Sequence, residues 1–400
     1  MNTRLRWVVI AAFALSNAIN FMDRQVLAAL APQLMREFGL SAAGYGDVIL
    51  AFSVAYAAGA PLAGWAIDHI GLRWGASLAV GFWSLAGMAT GWVNSVGALI
   101  ACRAALGLGE AGGVPSTGKA SALYLPPRER ALGAAVFQIG LTLGAILAPV
   151  AAQAIAQRFG WRAAFVMLGA AGLVWIPLWL LLERRAPTPQ AQAGAPAARA
   201  GEILRDRRYW ALLAANVLLM AVYSLWVNWT TVFLVRERGL SQAEANYRFA
   251  WIPPIFATLG GLAGGWLTMR ESAGKDDITP ARMRTILLAS LLLLGGAAVP
   301  WMPTAAWATV FICLSFFACV ASSVNIYAMP LDLFGAHRAA FAVSGLTAVY
   351  GALQGVFSSI AGRVVDRYGF APVCVTAAVL PMASWAVLHL ALGRRREGRA

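Results

Sequence analysis

Four charged residues stand inside long apolar stretches, where a charge is expensive. Asp23 and Arg24 interrupt the run "NAINFMDRQVLAAL", and Arg103 and Glu110 interrupt "RAALGLGEAGG". Each such charge costs roughly 2.5–3.5 kcal/mol on membrane-insertion scales, so the side chains should face a cavity and one another. Arg103 and Glu110 are seven residues apart and share nearly the same helix face, and Asn20 precedes Arg24 by about one turn.

These four groups could carry out proton-coupled binding of an anion. With both acids ionised, their charges sum to zero and the arginines are neutralised. Protonation of Asp23 or Glu110 leaves net positive charge in a low-dielectric cavity, where a guanidinium group binds a carboxylate through two hydrogen bonds. Proton and organic anion then favour each other's binding, which is symport. The alternative is a pair of structural ion pairs, although buried ion pairs are weak stabilisers.

The elements that must position these residues are membrane helices. Hydrophobic residues make up 60% of the 400-residue chain, charged residues only 12%, and the mean hydropathy is +0.68. A soluble protein carries about a quarter charged residues, whereas apolar runs of about twenty residues can cross a bilayer. The sequence therefore predicts an all-α membrane protein with twelve spans. The predicted spans are 7–34, 46–67, 74–93, 96–118, 131–156, 162–182, 210–235, 249–269, 285–302, 305–331, 341–362 and 370–392.

The net charge of +14 is explained by membrane topology. With the N-terminus in the cytoplasm, most Lys and Arg residues fall in cytoplasmic segments, as the positive-inside rule requires. We therefore expect an inner-membrane protein with both termini in the cytoplasm, contact with anionic lipids and no nucleic-acid partner. The four cysteines lie in or near apolar spans and are interpreted as small buried hydrophobic residues.

One long break interrupts the spans. Residues 184–208, "RRAPTPQAQAGAPAARAGEILRDRR", are rich in Pro, Ala, Gln and Arg and cannot bury an apolar face. This composition predicts a flexible cytoplasmic linker. The linker divides the chain into an N-terminal six-helix bundle, 1–183, and a C-terminal six-helix bundle, 209–400.

A short signature recurs in the loops between spans. "GWAIDHIGLRWG" places Gly64, Asp68, Gly71 and Arg73 after span 2, while "AQRFGWR" after span 5 and "GRVVDRYGF" after span 11 keep the same offsets. The loop after span 8 is degenerate. A repeat of three-span units predicts a pseudo-symmetric transporter that closes around a site at the membrane midplane. A carboxylate near a helix N-terminus, as expected for Asp68, is stabilised by the positive end of the helix dipole. Asp68 can also pair with an arginine, so we interpret this loop as a reversible gate.

Both this loop and span 4 resemble a known superfamily. The loop is similar to the loop signature of the major facilitator superfamily, and Arg103-x-x-x-Gly107-x-Gly109 resembles its fourth-helix signature. The resemblance covers essentially the full chain. It implies the major facilitator fold, with twelve helices in two pseudo-symmetric six-helix bundles.

The sequence at the end of span 4 is similar to a nucleotide-binding loop motif. In "GGVPSTGKA", Ala120 replaces the Ser or Thr that binds Mg²⁺, and a helix precedes the motif instead of a strand. Gly107, Gly109, Gly112 and Gly113 are instead interpreted as small residues that let helices pack closely. The three histidines lack metalloprotease spacing and there is no Gly-x-Ser-x-Gly elbow, so we expect neither an enzyme nor a cofactor.

A second resemblance indicates a particular family within this superfamily and the kind of substrate to expect. "NFMDRQVLAALAPQLMREFGLSAAGYG" and "RAALGLGEAGGVPSTGKA" are similar to the anion:cation symporter family, which includes bacterial hexuronate, galactonate and glucarate carriers. The resemblance implicates the acids at Asp23 and Glu110 in proton coupling. It implicates Arg24 and Arg103 in coupling and in binding the substrate carboxylate, and places Tyr56 toward the substrate. "FAWIPPIFATLGGLAGGWL" is most similar to the hexuronate branch.

Other polar and aromatic residues are candidates for substrate contact, although each could instead be a packing or interfacial residue. The candidates are Asn20 in the first half and Trp226, Asn228, Tyr350 and Gln354 in the second. Two departures leave the identity of the sugar acid open. Phe21 stands where galactonate carriers have Tyr, and Thr258 stands where hexuronate-type sequences are expected to have Asp.

The sequence thus predicts a secondary active transporter that takes up a small organic anion, such as a sugar acid or related carboxylate, together with protons. It is expected to work as a monomer. Two other classes stay open: an antiporter that exports metabolites or drugs, and a membrane sensor or scaffold that binds without flux. "GLTLGAILAPVAA" in span 5 lacks the GP-x-x-GG run typical of drug antiporters.

Overall fold

The computed structural model of the protein describes residues 3–186, 200–275 and 277–393. Helices dominate these ranges, and they contain no strand. The central part of the predicted linker, 187–199, lies outside the described residues. The helices are α1 (Thr3–Glu37), α2 (Ala42–Ala89), α3 (Val96–Glu110), α4 (Gly113–Tyr124), α5 (Arg130–Phe159), α6 (Trp161–Arg185), α7 (Ala200–Leu204), α8 (Arg207–Arg238), α9 (Gln242–Ala245), α10 (Pro253–Glu271), α11 (Thr279–Leu293), α12 (Ala305–Phe334), α13 (Ala336–Tyr368) and α14 (Phe370–Gly393).

Eleven helical stretches of the described residues are long and apolar enough to cross a membrane. The longest, Ala42–Trp92, has 51 residues and contains two spans. The division falls at Gly71, where the backbone turns with φ 82° and ψ 163°. Glycine adopts this conformation readily because it has no Cβ. Counted this way, the helices give the twelve spans that the sequence predicts.

The backbone turn at Gly71 recurs at the other copies of the loop signature. Gly160 ends α5 with φ 84°, and Gly369 ends α13 with φ 77°. Each is the glycine that the repeated sequence aligns with Gly71. The repeats therefore share a backbone conformation as well as a sequence pattern.

The first compact unit comprises Met1–Ala193 and Gly239–Trp251. Its core contains stacked tryptophans of α6, and Phe13 of α1 contacts Trp175 and Trp179 edge-on, with ring centroids 5.5 and 4.8 Å apart. Trp175 also donates its indole N–H to a backbone carbonyl of α1 at 2.6 Å. Buried aromatic pairs are worth about 0.5–1.5 kcal/mol beyond their area. These contacts hold α1, the helix that carries two of the four charges, firmly against α6.

Close approach of helices explains three of the six glycines in span 4. A Cβ at Gly107 or Gly109 would collide with the α2 backbone, and one at Gly112 would lie 2.6 Å from the Ala79 side chain. The predicted close packing is therefore confirmed at these three positions. At Gly113 it is wrong, because the nearest atom to a Cβ there would be 3.6 Å away, an ordinary contact.

The short helix α9 and the π-helical turn after it pack inside the first unit through side-chain amides. Gln242 donates to Oε1 of Gln153 at 3.0 Å and accepts from the backbone N–H of Gln33 at 3.0 Å. Asn246 donates to the same Gln153 oxygen at 3.1 Å and to the carbonyl of Ala29 at 2.8 Å. We call Gln153, Gln242 and Asn246 the amide cluster. All three residues are buried, so these hydrogen bonds are sheltered from water.

The second compact unit comprises Gly194–Arg238 and Ile252–Ala400. Its helix α8 packs against α12, α13 and α14. Phe233 lies in an aromatic cluster, edge-on to Trp226 at 5.6 Å and to Phe370 at 5.3 Å between ring centroids. These contacts join α8 to the start of α14.

Candidate functional site

The charges of spans 1 and 4 meet in the interior of the first unit. Arg24 donates from Nη2 and from Nε to one carboxylate oxygen of Glu110, at 2.7 and 3.1 Å. The Glu110 side chain is fully buried, and that of Arg24 is 15% exposed. A charge-assisted hydrogen bond of this kind is about twice as strong as a neutral one. Two of the four charges that the sequence singles out therefore form a buried ion pair.

Aromatic rings surround the Arg24 guanidinium. Its central carbon lies 4.8 Å from the ring centroid of Phe52, 5.2 Å from that of Tyr56 and 5.9 Å from that of Phe21. A cation over a ring face is attracted by the negative face of the ring, worth about 0.5–2 kcal/mol. Tyr56, a candidate from the sequence, thus lies beside the ion pair. Phe52 does so as well, although the sequence analysis missed it; its spacing of one turn from Tyr56 on α2 is the signal that could have found it.

Arg103 lies against the same phenyl ring and keeps unused hydrogen-bond donors. Its guanidinium carbon is 5.3 Å from the centroid of Phe52, so both arginines contact this ring. Arg103 is only 2% exposed, and its Nε and Nη1 find no hydrogen-bond partner among the described residues. Leaving buried donors unpaired costs about 1–3 kcal/mol, more for charged groups. Such donors are suited to receive the oxygens of an anion.

Asp23 lies beside this group without joining the ion pair. It is 4% exposed, and its Oδ2 has no hydrogen-bond partner in the described part of the chain. It interacts electrostatically with Glu110 and with Arg103. All four charges predicted from the sequence therefore share one buried electrostatic environment. Only Arg24 and Glu110 in this set are joined by a hydrogen bond among the described contacts.

Gly107 explains how Arg103 comes so close to Phe52. A Cβ at Gly107 would overlap the carbonyl of Phe52 and lie 3.1 Å from the backbone nitrogen of Tyr56. Only a residue without a side chain lets α3 rest on the α2 backbone there. The glycine of the fourth-helix signature thus positions the arginine that precedes it by one turn.

Span 4 is broken just beyond the ion pair. Helix α3 ends at Glu110, and α4 begins at Gly113. Asn20 lies opposite this break, with its amide nitrogen 3.6 Å from the Cβ position of Gly113. Asn20 and Arg24 lie four residues apart on α1, so they present the same face of that helix. Span 1 therefore meets span 4 at two successive levels, Asn20 with Gly113 and Arg24 with Glu110.

The loop signature forms two ion pairs with residues outside it. Asp68 accepts from Nζ of Lys119 at 2.9 Å, and Lys119 also donates to the carbonyl of Ile67 at 2.8 Å. Arg73 instead faces Glu183 of α6 at 3.5 Å. The sequence predicts that Asp68 pairs with an arginine, and this prediction is wrong. Its partner is Lys119, because α4 lies beside the loop and places this lysine there. A Cβ at Gly64, the first residue of the signature, would have no neighbour within 4 Å.

The structure around Lys119 also shows that the stretch resembling a nucleotide-binding motif is not a phosphate-binding loop. The stretch that resembles one is helical from Gly113 to its lysine, and α3 is the element before it. A phosphate-binding loop requires a strand before it and free backbone N–H groups. Within this stretch Gly112 allows close helix packing, and Lys119 contacts the loop.

Two candidates of the second half lie on α8. Trp226 is buried and lies edge-on to Phe233, within the aromatic cluster. Asn228 is 7% exposed and donates its amide N–H to the carbonyl of Ser224 at 3.0 Å. Their substrate contact stays a prediction.

The two other candidates of the second half lie on α13. Tyr350 is edge-on to Tyr223 with ring centroids 6.2 Å apart, and Gln354, one turn later, is 4% exposed. Their role also stays a prediction. Within residues 3–186, 200–275 and 277–393, no three His, Cys, Asp or Glu side chains are placed to hold a metal ion.

The family follows from comparison with known proteins. The sequence profile of the Major Facilitator Superfamily matches residues 13–347, so the chain belongs to that superfamily of transporters. It is a transporter and not an enzyme, as the sequence predicts.

Proteins of similar sequence within the superfamily include bacterial transporters of organic anions. The hexuronate transporter of Escherichia coli is 29% identical, over 96% of this chain and 94% of that protein. The galacturonate transporter of Dickeya chrysanthemi is 29% identical, over 73% of this chain and 90% of that protein. A probable sulfoacetate transporter of Cupriavidus necator is 27% identical, over 97% and 94%. The predicted resemblance to bacterial hexuronate carriers is confirmed, and a multi-pass transporter with such relatives belongs to the inner membrane.

A solved structure shows the same fold. The crystal structure of a bacterial homologue of the human lysosomal transporter Spinster superposes with a TM-score of 0.77 at 21% identity. The match covers 98% of this chain and 96% of the Spinster homologue. The predicted fold, twelve helices in two bundles, is confirmed.

Proposed function

We propose that the protein takes up a small organic anion, such as a sugar acid or a related carboxylate, in symport with protons. One observation carries this proposal. A buried ion pair, Arg24 with Glu110, lies beside Arg103, which keeps two donor atoms without a partner among the described residues. The hexuronate and galacturonate transporters among the relatives support a substrate that carries a carboxylate.

The two arginines have different roles in this mechanism. Arg24 is occupied by Glu110, whereas Arg103 is free to donate from Nε and Nη1. Arg103 therefore receives the carboxylate of the substrate first, and its planar fork suits two parallel hydrogen bonds. Tyr56 and Phe52 pack against the arginines and keep them in place.

The acids couple this binding to protons. When Glu110 takes a proton, it no longer neutralises Arg24, and the buried group gains one positive charge. An anion then binds more tightly, and its presence in turn favours the protonated acid. Asp23, buried next to Arg103 and Glu110, is the second site of proton coupling.

The loop signature acts as a gate during alternating access. The Asp68 side chain is 74% exposed in its pair with Lys119, and the Arg73 side chain is 37% exposed in its pair with Glu183. An ion pair with a partner as exposed as Asp68 is worth about 0–1 kcal/mol, so it can break and re-form at little cost. The pair of Arg73 is less exposed, because the Glu183 side chain is only 10% exposed. Gly71 gives the loop a backbone conformation that glycine adopts readily, and Gly64, in the helix before it, belongs to the same proposed gate.

We propose the following organisation of the chain. Bundles 1–183 and 209–400 are joined by the linker 184–208, with both termini in the cytoplasm. Trp226, Asn228, Tyr350 and Gln354 supply substrate contacts from the second bundle. The protein works as a monomer surrounded by anionic lipids.

The test is uptake into proteoliposomes. Purified protein should accumulate labelled D-galacturonate when the external solution is more acidic than the lumen, and a protonophore should abolish this accumulation. Arg103→Ala, reconstituted in parallel, should show background uptake. Accumulation that is indifferent to the imposed pH gradient would contradict proton symport.

A further inference from the structure

The segment between α8 and α10 packs with helices that are remote from it in the chain. Both α8 and α10 belong to the second compact unit, whereas Gly239–Trp251 belongs to the first. This segment, which we call the strap, contains α9 and the π-helical turn Asn246–Ala250. Turns of this kind are rare and frequently occur at functional sites. The strap is thus a short piece of chain with its own fastening, distinct from that of its two neighbours.

Five hydrogen bonds that involve side chains fasten the strap to α1 and α5. Four are the bonds of the amide cluster described above. The fifth lies at the surface, where Tyr247 donates its hydroxyl to Oε1 of Gln157 at 2.9 Å. Gln157 precedes Gly160 by three residues, as Asp68 precedes Gly71 in the loop signature. The copy of the signature after span 5 therefore contacts the strap through a neutral side chain.

The connection after span 1 shows that amides are not needed to fill the start of such a segment. The stretch "EFGLS", 37–41, after α1 recurs as "ERGLS", 237–241, after α8. The serine of each copy caps the helix that follows. In this alignment the two amides of the strap correspond to Ala42 and Gly46, which are also buried. The same local structure thus forms with small residues, and the buried amides of the strap require an explanation of their own.

Amides suit a contact that opens and closes in water. An apolar contact that opens exposes its surface to water and is penalised in proportion to the area. An amide that leaves the cluster exchanges a protein partner for a water molecule, so the net cost is small. The strap also begins at Gly239, whose φ of 66° lies in the left-handed region that glycine adopts readily. A residue of this kind at the end of an element can absorb the backbone rotation of a hinge.

We propose that the strap is a reversible latch, which leaves α1 and α5 in one part of the transport cycle and returns to them in another. Helices α8 and α10 are covalently joined to the strap, so displacement of either helix relative to α1 and α5 is restricted while the five hydrogen bonds hold. Release of the strap is therefore required for turnover. This inference rests on the proposed function only in that it assumes transport by alternating access, and it is independent of which anion is carried.

Cysteine labelling measures release of the strap without any substrate. Ala245 of α9 is fully buried, so Ala245→Cys should react with a maleimide only when the strap leaves. The protein is held in lipid nanodiscs, where the reagent reaches both faces, and wild type gives the background. Adding Gln153→Leu, which removes the acceptor of two of the bonds, should raise the labelling rate about tenfold or more. Adding Gln138→Leu, which alters an exposed glutamine on the same helix, should leave the rate unchanged.

Mass spectrometry of the labelled protein separates release from unfolding. Unfolding would also expose the three buried native cysteines, Cys313, Cys319 and Cys374, whereas release should label position 245 alone. If Gln153→Leu exposes these native cysteines too, a cross-linked variant that leaves the amide cluster intact decides the question.

The cross-link shows whether release is required for transport. Gln157→Cys with Tyr247→Cys, joined by a short bis-methanethiosulfonate reagent, should take up D-galacturonate at less than about a tenth of the unlinked rate, and reduction should restore uptake. Glu37→Cys with Arg162→Cys is the matched control. These two side chains are also exposed and lie 3.2 Å apart in the first unit, so linking them should not slow uptake.

Two results would overturn the latch while the transport proposal stands. One is an equal labelling rate of Ala245→Cys with and without Gln153→Leu, and the other is full uptake by the cross-linked strap. Absence of uptake by unlinked wild type would instead contradict the proposed function, and the labelling experiment would still decide whether the strap is released.

Discussion

Arg24 and Glu110 pair through a single carboxylate oxygen. Nη2 and Nε of Arg24 both donate to Oε2, at 2.7 and 3.1 Å, while Oε1 of Glu110 has no hydrogen-bond partner among the described side chains. A proton can therefore add to Oε1 without first displacing the arginine. Once it has added, the attraction to Arg24 falls because the carboxyl group is neutral.

Glu110→Gln should separate substrate exchange from accumulation. Glutamine keeps the shape of glutamate and an oxygen for Arg24, but it cannot release a proton. We expect counterflow of labelled substrate to persist and uptake driven by a pH gradient to fall to background. Glu129→Gln, which alters the partly exposed pair with Arg6, serves as control. Accumulation at the wild-type level in Glu110→Gln would remove this residue from proton coupling.

Arg103→Lys should lower substrate affinity although it preserves the charge. Lysine presents one ammonium group and cannot offer the two donors that Nε and Nη1 supply in a fixed plane. We expect the Kd measured by calorimetry to rise about tenfold or more, corresponding to about 1.4 kcal/mol or more. Arg162→Lys changes an exposed arginine, 41% accessible, and should have no effect. Equal affinities for wild type and Arg103→Lys would refute the role of the planar fork.

Asp68→Asn should slow transport without weakening binding. The Asp68 side chain is 74% exposed, although that of Lys119 is only 18% exposed, so loss of this pair should change the thermal midpoint little. We expect a lower turnover in proteoliposomes at an unchanged Kd. The exchange Asp68→Lys with Lys119→Asp should restore part of the rate, since it rebuilds the pair with reversed charges. A drop in affinity that matches the drop in rate would argue against a gating role.

Gly107→Ala should destabilise the first unit. The new methyl group would overlap the carbonyl of Phe52, and overpacking of this kind costs about 1–3 kcal/mol. We expect a lower melting temperature in detergent and weaker binding, because Arg103 would move away from the phenyl ring. Gly97→Ala on the same helix has nothing within 4 Å of its Cβ position and should melt like wild type. Identical melting of both variants would contradict the close approach.

The residues of the candidate site could be predicted from the sequence because a charge is costly in an apolar span. The same argument cannot choose partners. Glu110 pairs with Arg24 across 86 residues and not with Arg103, seven residues earlier on its own span. That choice depends on how closely α1, α2 and α3 approach, which follows from Gly107 and from the break after Glu110.

Three-dimensional packing also explains what the sequence analysis missed. Phe52 is one of many aromatic residues in apolar spans, and only its position between two guanidinium groups distinguishes it. Lys119 directly follows the fourth predicted span, and only the packing of α4 beside the loop brings it to Asp68. The amide cluster joins residues about ninety positions apart, with no local pattern to mark it.

The amide cluster has a consequence for how the protein responds to acidity. Its members, Gln153, Gln242 and Asn246, carry no group that gains or loses charge between about pH 5 and 8. The hydrogen bonds that fasten α9 should therefore be equally strong in acidic and in neutral surroundings. In the proposed mechanism, acidification alters the charge of Asp23 and Glu110, whereas the hydrogen bonds of the amide cluster keep the same strength.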